Sequence, residues 1–102
     1  MSGCASSAAP VDVGADTVIV DVRTPAEYAA GHLDGAVNLD FQSPSFDEAV
    51  DDLDSDVDYV VYCQSGNRSA QAVSVMVDAD LTVQDAGGID EAANATSLPV
   101  VP

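Results

Sequence analysis

The chain has 102 residues, and its 18 acidic residues against two basic ones give a formal net charge of −16 at pH 7. This length fits a single domain, and the charge repels phosphate backbones, so we expect no nucleic-acid partner. No apolar run approaches the roughly 20 residues that a membrane-spanning helix requires, so we expect no membrane span.

The N-terminal segment, residues 1–10, is rich in small residues and ends in proline, a composition that predicts disorder. Within it, Cys4 follows Ser2 and Gly3. This step is similar to the cleavage end of a bacterial lipoprotein signal, where the cysteine becomes lipidated. An ordinary flexible N-terminus accounts for the same residues equally well. Two locations therefore stay open: an extracytoplasmic one with a lipid anchor at Cys4, and a cytoplasmic one.

After this segment we expect one folded domain over residues 11–97 and a loose tail over residues 98–102. Short apolar segments predict strands at residues 16–22, 35–40, 58–63 and 81–86. Helices are predicted at residues 24–31, 43–53, 67–79 and 89–94. Such alternation is typical of an α/β fold, with a mostly parallel central sheet and helices on both faces. Ligands of such sheets bind at the carboxyl ends of the strands.

The segment YCQSGNRS, residues 62–69, lies at such a strand end. Cys63 closes the strand, Gly66 allows a positive φ, and Arg68 adds a cation. A tight turn into a helix directs several backbone N–H groups inward, where they and the helix dipole attract an anion. The Cys63 thiol is therefore predicted to have a lowered pKa and to act as a nucleophilic thiolate. A buried structural cysteine beside a turn is the alternative.

Three motifs together resemble the rhodanese-like sulfurtransferase domains. They are DVRTPAEYAAGHLDGAVNL at residues 21–39, VYCQSGNRSAQAV at residues 61–73 and GGI at residues 87–89. The resemblance implies the rhodanese-like α/β fold and a chemistry in which Cys63 attacks the outer sulfur of a donor such as thiosulfate and releases sulfite. The resulting persulfide would pass its sulfur to a thiol, cyanide or protein acceptor. It implies no metal ion and no organic cofactor, and we expect a monomer.

The resemblance also implies which residues hold the donor and the persulfide. These substrate-binding residues are Gln64, Ser65, Gly66, Asn67, Arg68 and Ser69. Ser69 is expected to cap the helix and to donate a hydrogen bond to the sulfur. Because Gln64 is uncharged, doubly charged thiosulfate is expected to bind less tightly here than beside a second cation.

Four further residues are expected to support the pocket. Asp21 and Arg23 either line its mouth or brace the loop, with Arg23 paired to Asp21 or to Glu27, because a buried arginine needs partners. His32, the only histidine, belongs to a turn segment in the family and is expected to be part of the scaffold rather than a partner of Cys63.

Two other functions remain open from the sequence. One is a non-catalytic rhodanese module that binds a partner and uses Cys63 as a redox sensor. The other is a cysteine phosphatase or arsenate reductase. Cysteine phosphatases place five residues between cysteine and arginine, whereas only four separate Cys63 from Arg68. The tighter loop favours a sulfur atom over a phosphoryl group.

Overall fold

The computed structural model describes residue 11 and residues 13–102, in which short strands alternate with helices. The strands are β1 (Val18–Asp21), β2 (His32–Leu33), β3 (Val37–Asn38), β4 (Asp58–Cys63), β5 (Thr82–Gly88) and β6 (Val100–Val101). The helices are α1 (Pro25–Ala30), α2 (Phe46–Asp51), α3 (Asn67–Asp78) and α4 (Ile89–Thr96). Residues 1–10, with the predicted disorder and the predicted anchor at Cys4, lie outside the described residues.

A sheet of four parallel strands, in the order β3–β1–β4–β5, forms the centre of the fold. The inner strands β1 and β4 are apolar and buried along almost their whole length, as expected of parallel strands with both faces covered. Parallel neighbours need a crossover connection, and α3 supplies it between β4 and β5. The predicted α/β class with a mostly parallel central sheet is therefore confirmed.

Side chains of β4 alternate between two hydrophobic cores, one on each face of the sheet. Val61 and Cys63 lie in a core with Met76 of α3 and residues of α2. Val60 and Tyr62 lie in the opposite core with residues of α4. Helices thus cover both faces, as predicted. This alternation places the Cys63 side chain on the α2 and α3 side, while Tyr62 faces away from it.

The tail differs from the sequence expectation. Residues 98–102, which we expected to be loose, contain β6, where Val100 and Val101 pair in antiparallel register with Leu33 and His32. The Asp34 N–H also donates to the Pro99 carbonyl oxygen over 2.9 Å. The pairing satisfies backbone groups on both segments, and strands of two residues are too short to show a hydrophobic pattern.

Helix α1 begins and ends where its sequence predicts. The Glu27 N–H donates to Thr24 Oγ1 over 3.3 Å, and the Thr24 N–H donates to Glu27 Oε1 over 3.1 Å. This reciprocal capping box fixes the first turn, and the helix ends at Gly31.

Within the described part of the chain, no helix has the length and apolar character needed to cross a membrane.

Candidate active site

The candidate site lies where β4 ends and α3 begins. Cys63 is the last residue of β4, and Gly66, with φ of 103°, is the N-cap residue of α3. The chain therefore passes from strand to helix through the short segment 64–66, and the positive φ at Gly66 favours glycine. Ser69, which we predicted to be the cap, lies inside the helix instead, because Gly66 takes the cap position.

The sulfur of Cys63 is buried and accepts hydrogen bonds from the loop. The Gly66 N–H donates to Sγ over 2.9 Å. Burial alone raises the pKa of the Cys63 thiol. Hydrogen bonds from the Ser69 hydroxyl and from the backbone N–H groups of Ser69, Gly66 and Ser65 outweigh burial, so the pKa lies below its usual value. The direction agrees with the thiolate expected from the sequence.

The Ser69 hydroxyl has one proton and two acceptors, the Gly66 carbonyl oxygen at 3.1 Å and the Cys63 sulfur. A charged acceptor forms the stronger hydrogen bond, so ionisation of Cys63 favours the bond to sulfur. Replacing Ser69 with Ala should therefore raise the pKa of the Cys63 thiol. Ultraviolet absorbance of the thiolate against pH measures this shift, and Ser74→Ala, on an exposed position of α3, is the control. An unchanged pKa in Ser69→Ala would contradict the bond.

The same lowered pKa sets the pH dependence of stability. Between the folded and unfolded pKa values of Cys63, the folded state binds fewer protons than the unfolded state. The free energy of unfolding therefore rises with pH across that window, and the contribution is lost as pH falls through the folded value. Ser69→Ala should bring the folded and unfolded pKa values of Cys63 closer together. The free energy of unfolding should therefore increase less with pH in this variant.

The end of β5 packs against the loop with no room for a side chain. A Cβ atom at Gly88 would lie 2.7 Å from the Gln64 carbonyl oxygen and 3.3 Å from Ser65 Cα. Contacts this short with backbone atoms cannot be relieved by a rotamer change. Glycine at position 88 therefore lets β5 support the cysteine loop from the side.

Replacing Gly88 with Ala should displace residues 64 and 65 and destabilise the domain by about 1–3 kcal/mol, the usual cost of overpacking. Chemical denaturation measures the loss of stability. Gly14→Ala is the matched control, because a Cβ there would lie 3.7 Å from Thr17 Oγ1. Equal stability of the two variants would contradict the close approach.

A buried ion pair connects β1 to the loop. Asp21 accepts hydrogen bonds from Arg23 Nε and Nη2, the latter over 2.7 Å, and from the Tyr62 hydroxyl over 2.8 Å. Of the two partners that the sequence left open for Arg23, the structure thus selects Asp21. Arg23 Nη1 donates to Gln64 Oε1 over 3.0 Å. Arg23 is 4% exposed and therefore braces the loop from within the protein.

The second arginine is also paired with a carboxylate. Arg68 Nη1 donates to Glu27 Oε1 over 2.8 Å, and Nη2 donates to Oε2 over 3.0 Å. Chiefly because of the hydrogen bond from Arg68, the pKa of Glu27 falls to about 2. The family resemblance implies that Arg68 helps to bind the sulfur donor. The structure shows its guanidinium bound in a two-point ion pair with α1.

His32 contacts α1. Its Nδ1 lies 3.0 Å from the Tyr28 carbonyl oxygen, and its ring stacks on the Tyr28 ring with centroids 3.9 Å apart. These contacts are of the kind expected of a scaffold residue.

Among residue 11 and residues 13–102, no group of three or more His, Cys, Asp or Glu side chains is placed to hold a metal ion.

Three contacts of the site were not predicted from the sequence: the Arg23–Gln64 bond, the Arg68–Glu27 pair and the close approach of Gly88. Each joins segments that are distant along the chain, so no local pattern identifies the two partners. The Gly-Gly dipeptide was the one visible signal, since adjacent glycines often mark a close backbone approach.

Fold and site together define a class of protein: an α/β domain with a buried cysteine at the end of an inner parallel strand, in which hydrogen bonds from the following loop lower the pKa of the thiol. The family model described as Rhodanese-like domain matches residues 8–95. The chain therefore belongs to the rhodanese-like domain family, as the sequence motifs indicated.

Known relatives agree with this assignment. Thiosulfate sulfurtransferase GlpE of Pseudomonas entomophila is 40% identical over 60 residues, which are 59% of this chain and 53% of that protein. Thiosulfate sulfurtransferase PspE of Escherichia coli is 32% identical over 75 residues, 72% of each chain. The crystal structure of a rhodanese-related protein from Thermoplasma volcanium superimposes with a TM-score of 0.72 at 32% identity, covering 84% of each chain. The match spans only about half the length of the Pseudomonas relative.

Proposed function

We propose that this protein is a sulfurtransferase that moves a sulfane sulfur from a donor such as thiosulfate to a thiophilic acceptor through a persulfide on Cys63. The observation that carries the proposal is the Cys63 sulfur itself, buried and hydrogen-bonded by loop N–H groups that lower its pKa. The relatives named thiosulfate sulfurtransferase support the reaction class.

The first half-reaction uses the Cys63 thiolate as nucleophile. It attacks the outer sulfur of thiosulfate, an S–S bond forms to Sγ, and the old S–S bond breaks with its electron pair leaving on sulfite. The site then holds a Cys63 persulfide anion. The Gly66 N–H donates to Sγ, and the backbone N–H groups of Ser65 and Ser69 also lower the pKa of the thiol. Such donors stabilise negative charge as it moves to the outer sulfur atom.

The second half-reaction returns the free thiolate. A nucleophilic acceptor such as cyanide or a thiolate attacks the outer sulfur of the persulfide, and the S–S bond breaks with its electron pair remaining on Sγ. Hydrogen bonds from the loop lower the pKa of Cys63 and favour its thiolate form, so the proposal assigns no residue as a general base. The reaction needs no electron transfer to or from an external reagent.

The Cys63 side chain is buried, whereas residues of the loop beside it are exposed. Cys63 is 0% exposed, whereas Gln64, Ser65 and Asn67 are exposed. A cleft of about 240 Å³ is lined by Pro25 of α1 and by residues of α2, but not by Cys63. The bond from Arg23 to Gln64 and the close approach of Gly88 to residues 64 and 65 restrain the loop beside the sulfur.

The alternatives from the sequence differ in what they predict at Cys63. A phosphatase would hydrolyse an aryl phosphate, and a redox sensor would be oxidised by peroxide without turning over thiosulfate. The proposal predicts steady thiocyanate formation from thiosulfate and cyanide, with one sulfite released for each thiocyanate. Aryl phosphate hydrolysis without thiocyanate formation would favour the phosphatase, and a peroxide-sensitive thiol without sulfur turnover would favour the sensor.

A further inference from the structure

We propose that Glu27 is a specificity-determining residue: by binding the Arg68 guanidinium at two points, it weakens the preference of the site for a doubly charged sulfur donor over a singly charged one. The inference rests on the proposed sulfurtransferase function and concerns the donor of that same site. Nothing in the loop sequence predicts it, because α1 supplies the carboxylate and α3 supplies the guanidinium.

The geometry of the pair carries the first step. Both Arg68–Glu27 hydrogen bonds are short, at 2.8 Å and 3.0 Å, and run side by side between the two planar groups. This bidentate arrangement is the strong form of the arginine–carboxylate contact. It occupies guanidinium N–H groups that would otherwise be available to the oxygen atoms of an anionic donor.

Helix α1 holds Glu27 in place for this contact. Glu27 Oε1 also accepts hydrogen bonds from the Thr24 N–H and hydroxyl, over 3.1 Å and 3.2 Å. The carboxylate is therefore shared between the helix cap and Arg68 and is restrained from both sides. An exposed ion pair on flexible side chains exchanges readily with water, whereas one partner here is fixed by the capping box.

Charge accounting gives the second step. Arg23 and Arg68 are the only two arginines of a chain without lysine, and both are paired with carboxylates, Asp21 and Glu27. Arg23 also uses Nη1 to hold Gln64. Each arginine charge at the site is therefore neutralised by one carboxylate. The loop N–H groups then provide the attraction for an anion. The net charge of −16 repels a dianion more strongly than a monoanion.

The test compares two donors in wild type and in Glu27→Gln, with cyanide as acceptor. Thiosulfate is a dianion, and methanethiosulfonate presents its outer sulfur on a monoanion. Glutamine fits the N3 position of a capping box, so this variant should keep α1 and the fold. The ratio of kcat/KM for thiosulfate to that for methanethiosulfonate should rise about tenfold, because the freed Arg68 charge attracts the dianion more strongly.

The ratio of the two kcat/KM values distinguishes an effect on donor specificity from a general loss of loop structure. If Glu27 only stabilises the loop, its loss slows both donors alike, and an unchanged ratio in Glu27→Gln would overturn the proposal. Glu27→Asp keeps the charge and should keep a ratio close to that of wild type. Asp58→Asn removes the same charge from an exposed position at the opposite end of β4 and should change the ratio less than about twofold.

Variants of Arg68 provide a second, independent test of the proposal. Arg68→Gln leaves Glu27 without its partner and should lower the ratio, whether or not Glu27→Gln folds well. In the Arg68→Gln background, adding Glu27→Gln should change the ratio less than it does in wild type, because the specificity effect runs through the guanidinium. An equal change in both backgrounds would also overturn the proposal.

The outcome separates this inference from the function on which it rests. If wild type forms thiocyanate from either donor but the kcat/KM ratio is the same in Glu27→Gln, the sulfurtransferase function stands and the specificity role of Glu27 fails. If wild type transfers sulfur from neither donor, the proposed function fails, and the inference fails with it.

Discussion

Replacing Cys63 with Ser should lower sulfur transfer at least about a thousandfold, since loss of the nucleophile removes the covalent intermediate. A serine hydroxyl stays protonated at neutral pH and cannot store a sulfane sulfur. Thiocyanate formation under saturating thiosulfate measures the loss. The smaller oxygen fits the space of the buried sulfur, so denaturation of the variant should remain cooperative. Turnover retained in a folded Cys63→Ser protein would place the nucleophile elsewhere.

Replacing Arg23 with Met should destabilise the domain by about 3–5 kcal/mol, the cost of leaving a buried charge without its partner. Asp21 is 0% exposed and loses its three side-chain hydrogen bonds from Nε and Nη2 in this variant. Gln64 loses its bond as well, so kcat should fall even where the protein is folded. Urea denaturation and sulfur transfer in one buffer measure both effects.

The matched control for this prediction removes the charge on both sides. Asp21→Asn combined with Arg23→Met leaves no buried unpaired charge, so the double variant should lose less stability than Arg23→Met alone. Asparagine can still accept a hydrogen bond from the Tyr62 hydroxyl. A double variant that is less stable than Arg23→Met would show that the pair contributes by shape and hydrogen bonding rather than by charge.

Local patterns predicted the elements that depend on neighbouring residues. Thr24 and Glu27 lie three positions apart, the spacing of a capping box, and the structure forms that box. The apolar segment ending at Cys63 predicted a strand, which is β4. Cys63, Gly66 and the start of α3 could therefore be placed at one carboxyl strand end from sequence alone.

The remaining features depend on segments that meet only in the folded chain. Arg68 and Glu27 are 41 residues apart, as are Arg23 and Gln64, and no periodicity connects them. The tail strand β6 consists of two residues that gain their partners from β2. The sequence offered Arg68 as a charge for the donor, and only the geometry shows that Glu27 already binds it.

Mass spectrometry of the intact wild-type protein after exposure to thiosulfate tests the central claim most directly. The account predicts that the chain gains the mass of one sulfur atom, that peptide mapping places this atom on Cys63, and that cyanide removes it as thiocyanate. A chain that gains no mass, or that carries the added sulfur on Cys4 instead, would contradict the account.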